Sequence, residues 1–134
     1  GACHFSLDMR APNDAQRDAL AHDILQCLRD ICSERGVQCE WEETVRAAAA
    51  PSDAGLQSRW EQAVAGLGLP IHRMPSGAGH DAMKMHQVMP QAMLFVRGEN
   101  QGISHNPLEC TTADDIQLSI NALASFIHHM SQEV

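Results

Sequence analysis

The apolar positions of this chain change period several times, and each change predicts an element. Cys3, Phe5, Leu7 and Met9 alternate with His4, Ser6, Asp8 and Arg10, the two-residue period of a strand with one face buried. Asn13, with Gln16 three residues on, has the form of a capped helix start. Leu20, Ile24, Cys27, Leu28 and Ile31 then recur at helical spacing up to Arg35, with a stop at Gly36. Val37, Cys39, Trp41 and Val45 return to alternation and predict a second strand. From Arg46 to Ser52, four alanines and a proline break every period. That break divides the chain into a β-α-β unit over residues 1–46 and a second part over 47–134.

In the second part, Ser52 or Asp53 can cap a helix whose apolar stripe is Leu56, Trp60, Ala63, Val64 and Leu67, ending at the glycines around Leu67. Leu69 to Met74 predicts a short strand leading into a glycine turn and a further helix. Ala92-Met93-Leu94-Phe95-Val96 is an unbroken apolar run after a proline, the pattern of a fully buried strand. A last helix is expected from about Thr112, with Asp114 and Asp115 in its first turn and Ile116, Ile120, Leu123, Ile127 and Met130 facing a core. Strands alternating with helices in this order predict an α/β fold, a mostly parallel sheet with flanking helices.

Composition narrows the function. The 134 residues are 44% hydrophobic and 19% charged, ordinary for a globular chain, and the formal net charge is -8. An acidic chain without a block of Lys or Arg has no face for a phosphate backbone, so nucleic acid is not an expected partner. Three Phe, two Trp and no Tyr also leave little for base stacking. No apolar run approaches a bilayer span and the first residues have no signal-peptide pattern, so no membrane partner is expected and the setting is read as cytoplasmic. The five cysteines are odd in number and form no Cys-x-x-Cys, which reads as reduced thiols rather than disulfides or a zinc knuckle.

The chemistry gathers between Met74 and Thr112. Gly77-Ala78-Gly79-His80-Asp81-Ala82 fits the relaxed dinucleotide fingerprint, with Glu99 about 20 residues on, but too little sheet remains for a dinucleotide to lie across. Either way, glycines at a helix start offer backbone N–H groups to an anion. Ser76 lacks the surroundings of a nucleophile elbow, so its hydroxyl is expected to cap the turn. His80 beside Asp81 is read as a general base with its orienter or, about equally well, as a structural hydrogen-bonding histidine, since adjacent helical residues point about 100° apart and Asp81 would not easily orient the ring. His105 stands before Asn106-Pro107, where proline stiffens the loop and a neutral imidazole could meet a cation; alone, such a residue is ordinarily a surface histidine. Arg10 is read from the residues as a partner for Asp8 or a solvated charge. Glu42-Glu43 reads as a solvated edge, because consecutive strand residues point to opposite faces. His4, His22, His72, His86, His128 and His129 lack mutual ligand spacing.

The run Met74-Pro75-Ser76-Gly77-Ala78-Gly79-His80-Asp81-Ala82-Met83, followed by Gly102-Ile103-Ser104-His105-Asn106-Pro107-Leu108-Glu109 and preceded by Phe5-Ser6-Leu7-Asp8-Met9-Arg10-Ala11-Pro12, carries a family resemblance. It resembles the metal-dependent amidohydrolases of the N-carbamoyl-L-amino-acid hydrolase, allantoate amidohydrolase and β-ureidopropionase family, within the aminoacylase-like zinc peptidases. The resemblance covers nearly the whole chain and implies the C-terminal portion of such an enzyme. On it, residues 1–46 are a remnant of a lid and dimerisation domain, and 47–134 are part of the catalytic α/β domain. The activity implied is hydrolysis of a linear amide or ureido C–N bond in a small carboxylate-bearing substrate. Two divalent ions, zinc or manganese, would hold a hydroxide and polarise the carbonyl.

Residue by residue, the resemblance makes His105 a metal ligand and Arg10 the grip on the substrate carboxylate, with Gly77, Ala78, Gly79 and His80 lining the pocket. The family's His-x-Asp, further Asp, Glu-Glu pair with its general-base Glu, and second His cannot be placed in this chain. An incomplete, inactive chain is therefore expected, paired as a homodimer through the lid remnant or with the missing N-terminal portion. The alternative is a non-catalytic binding or dimerisation fragment, and a weaker alternative is a dinucleotide-binding module.

Overall fold

A computed structural model describes residues 1–132. Its elements are four helices, α1 (Asp14–Arg35), α2 (Ala54–Gly66), α3 (Ala82–Met85) and α4 (Ala113–Ser131), with a 3-10 turn at Asn100–Gly102 before α4. The chain divides into two compact units. One is Gly1–Pro51 with Pro75–Met83; the other is Ser52–Met74 with the chain from Lys84 onward.

Local chemistry sets the helix ends. The Asn13 side chain accepts from the Gln16 N–H at 2.9 Å and starts α1. At the other end Gly36 takes a left-handed conformation, φ 62°, and the Val37 N–H returns to the Cys32 carbonyl at 2.9 Å. Asp53 caps α2 through the Leu56 N–H, and Thr112 caps α4 through the Asp115 N–H. These starts and stops lie where the residue pattern predicts them.

The α/β expectation is overturned: among the described residues there is no strand and therefore no sheet. Residues 3–10, 37–45, 69–74 and 92–96 run without regular structure. Phe95 and Val96, expected in a fully buried strand, are 45% and 44% exposed. The reason lies in where each element finds its hydrogen bonds. A helix pairs its N–H and C=O groups within its own segment, whereas a strand borrows them from a neighbour. Alternating side chains show which face would be buried, but they supply no neighbouring chain.

The core is correspondingly small. In the second unit α2 packs on α4, with Ala63 fully buried and Ala122 only 3% exposed, and Trp60 stacks on Phe126 with ring centroids 4.2 Å apart. Small residues at the crossing let the helices approach closely enough for the rings to meet. The α4 stripe expected in the core, Ile116, Ile120, Leu123, Ile127 and Met130, instead faces water. The face in use runs through Asp115, Ala122 and Phe126. In the first unit α1 buries no residue.

The accessible surface is 10722 Å². A folded monomer of 14.6 kDa exposes about 6,900 Å², and two separate bodies of half that mass about 8,300 Å². Much apolar surface is therefore left in water. No helix among the described residues is long and apolar enough to cross a membrane.

Candidate functional site

Two clusters hold the residues singled out from the sequence, one in each unit. In the first, Arg10 spans 67 residues of sequence to donate from Nη1 to the Gly77 carbonyl at 2.6 Å. The rest of its guanidinium faces Asp8: Nη2 lies 2.5 Å from Oδ2, and Nε is 3.1 Å from each carboxylate oxygen. The pair is exposed, and the hydrogen bond from Arg10 holds the Asp8 carboxyl below its ordinary pKa. Arg10 is thus both the partner of Asp8 and the pin of the glycine turn.

Within that turn the Ser76 hydroxyl works as a local cap. It lies 3.0 Å from the Ala78 carbonyl, 3.3 Å from the Ala78 N–H and 3.0 Å from His80 Nε2. A hydroxyl has one hydrogen, so when it is given to the Ala78 carbonyl the ring of His80 must be the donor to Ser76. Gly77, Ala78, Gly79 and His80 are all exposed. A Cβ at Gly77 would meet nothing within 4 Å, which leaves the turn open to another group. Only one helical turn, α3, follows, and no strand precedes it among the described residues. The dinucleotide reading therefore loses both elements that its fingerprint requires.

The second cluster is the loop from Glu99 to Cys110 that carries His105. Its ends are tied by the Glu99 N–H donating to the Cys110 carbonyl at 2.8 Å. Asn100 Nδ2 donates across it to the Leu108 carbonyl at 2.7 Å. Asn100, Gln101 and His105 have φ of 51°, 64° and 54°, a region that non-glycine residues seldom occupy. At His105 the N–H donates to Glu109 Oε2 at 2.8 Å, while Asn106 Oδ1 accepts from the Leu108 N–H at 2.9 Å. Outside the two ends of the loop, Arg97 pairs with Asp115 at 2.6 Å, and Asp115 also accepts from the Thr112 hydroxyl at 2.7 Å. The Arg97 bond first, then the Thr112 bond, lower the pKa of this nearly buried carboxyl.

Arg10 is thus brought to the Gly77 turn, while His105 belongs to the other unit. Sequence reasoning passed over Asn100 and Glu109, which shape the His105 loop. The available signals were an Asn two residues ahead of Gly102 and, inside the motif already noted, a Glu four residues after the histidine. The donors around His105 do not make a metal centre: among the described residues no group of three or more His, Cys, Asp and Glu could hold an ion. The cysteines are free, and the Cys110 thiol is pushed up by its hydrogen bond with Glu99.

Comparison with known proteins gives these clusters their context. The chain is 28% identical over 131 residues to allantoate amidohydrolase of Bacillus subtilis, covering 98% of this chain and 32% of that protein. It is 36% identical over 138 residues to a probable allantoate deiminase of Oryza sativa, covering 95% and 28%. To N-carbamoyl-L-amino acid amidohydrolase of Geobacillus stearothermophilus it is 30% identical over 128 residues, covering 96% and 31%. The chain thus spans about a third of the length of these curated relatives. No solved structure matches it. The model of peptidase family M20/M25/M40 matches residues 5–129, a stretch that takes in Arg10, the glycine turn and the His105 loop, and the chain belongs to that family.

Proposed function

We propose that this chain supplies the carboxylate-gripping arginine and one imidazole of an amidohydrolase that cleaves linear amide or ureido C–N bonds in small carboxylate substrates, N-carbamoyl amino acids or allantoate among them. The observation that carries the reading is the bond from Arg10 to Gly77, which joins a planar cation to an open glycine turn. The names of the relatives supply the reaction class. Asp8 and Gly77 occupy three of the five guanidinium N–H groups, which leaves one on each terminal nitrogen for a substrate carboxylate. His80, held by Ser76, lines the same turn.

His105 is one donor toward the zinc or manganese that the family resemblance implies, and a catalytic ion takes about three protein ligands. The donors among the described residues do not fit a complete site. On this reading the other ligands and the general-base Glu come from residues outside this chain, and the chain alone is inactive. The first unit then works against a partner, either a second copy or the upstream part of the enzyme. Phe5 and Val45, 72% and 83% exposed, support that partner. Free cysteines suit a reducing, cytoplasmic setting.

The test combines titration and turnover. Calorimetry with zinc and with manganese on this chain should show no tight pair of ions. Hydrolysis of an N-carbamoyl amino acid or allantoate should appear only when the N-terminal part of a relative is added. Two ions bound tightly per chain, or turnover by this chain alone, would overturn the incomplete-site reading.

A further inference from the structure

We propose that Glu109 is a positioning residue that holds His105 in its left-handed backbone conformation, and so sets the direction in which the imidazole leaves the loop. The backbone role rests on the geometry of the loop, and its bearing on function rests on the proposed reading of His105 as a metal-facing donor. The Glu109 carboxylate reaches back four residues to accept the main-chain N–H of His105 at 2.8 Å, and this bond leaves both ring nitrogens outside it. A β-carbon makes φ near 54° unfavourable, so some other interaction has to hold the residue there.

Glu109 is well placed to do so because its own backbone is anchored. Its N–H donates to the Asn106 carbonyl at 2.9 Å, the neighbouring Leu108 carbonyl accepts from Asn100, and the adjacent Cys110 carbonyl accepts from Glu99. Pro107, between the histidine and the glutamate, fixes its own φ and restricts Asn106 before it. Of the residues in the His105-to-Glu109 stretch, Glu109 supplies the side chain that grips the histidine backbone. The imidazole direction is therefore set by a carboxylate bonded to the main chain of the histidine.

Nuclear magnetic resonance on the 134-residue chain tests this with Glu109→Ala and Glu109→Gln. Gln keeps an acceptor oxygen and Ala does not. Without metal, the strong intraresidue HN–Hα cross-peak that a positive φ gives His105 should be present in wild type, kept in Glu109→Gln and lost in Glu109→Ala. Resonances of α2 and α4 should be unchanged in all three, which separates loss of positioning from loss of fold. Substoichiometric Mn²⁺ should then broaden the His105 ring signals selectively in wild type and the Gln variant, and lose that selectivity in the Ala variant. A positive φ kept in Glu109→Ala, or lost equally in both variants, overturns the proposal. Broadening spread evenly over the histidines in wild type, with the φ result as expected, withdraws the metal reading of His105 and leaves the backbone role of Glu109 standing.

Discussion

Helix α1 and the pair α2 and α4 start from the same kind of amphipathic pattern and reach different ends. The 22 residues of α1 bury nothing, and its charged side chains make the contacts with its neighbours. Arg17 donates to the Ala47 carbonyl at 2.5 Å, the Ala49 N–H donates to Asp14 at 2.9 Å, and the Arg29 guanidinium lies 4.6 Å from the centre of the Trp41 ring. The helices α2 and α4 instead close a small core of their own at Ala63, Ala122, Trp60 and Phe126. An apolar stripe shows which face wants cover. Whether cover arrives depends on a partner whose surface permits close approach, and here that is decided by small residues at the crossing.

The largest expected effect strikes the covered pair. Trp60→Ala should destabilise α2 and α4 by about 3 kcal/mol, because it removes the ring that fills their interface. Leu20→Ala and Ile31→Ala on α1 should each change stability by less than about 0.5 kcal/mol, since both side chains already stand in water. Urea unfolding followed by circular dichroism measures the contrast, and equal losses in the two regions would erase it.

Caps come next. Asn13→Ala and Thr112→Ala should each cost about 1 kcal/mol, with Thr112→Ala the larger because it also takes a donor from the nearly buried Asp115. Fraying should be confined to the first turns of α1 and α4, as amide hydrogen exchange would show.

Acid should act on one region more than the other through Asp115. Its carboxyl titrates below the ordinary value in the fold because Arg97 and Thr112 bond its charged form. A lowered folded pKa means that the stabilisation is fully present above the unfolded value and is lost as pH falls through the folded one. Asp115→Asn should therefore flatten the acid limb of α4 unfolding below about pH 4 while leaving the neutral region flat. A limb of unchanged slope in the variant would assign the acid sensitivity elsewhere.

The smallest effect is expected at Arg10→Lys. The charge stays and the fork that grips Asp8 and Gly77 is lost, so helix content should hold while amide shifts move around Gly77 and Ala78. Shifts spread through α1 would mean that the pin supports more of the first unit than its exposure implies.

By itself the sequence determined the helices and their ends, because these depend on bonds within a few residues. Asn13, Gly36, Asp53 and Thr112 each satisfy groups of their own helix. It also marked Arg10, the glycine turn and His105, since those motifs are contiguous. Only the tertiary structure decided what depends on residues distant in the chain. It left the alternating segments unpaired, turned α4 so that Ala122 and Phe126 rather than Ile120 and Ile127 meet a neighbour, and carried Arg10 across 67 residues to Gly77. The reach of Glu109 back to His105 is short in sequence, yet it too appeared only once the loop backbone was known. Periodicity specifies the direction of a side chain relative to its own segment, and burial or bonding needs the position of another.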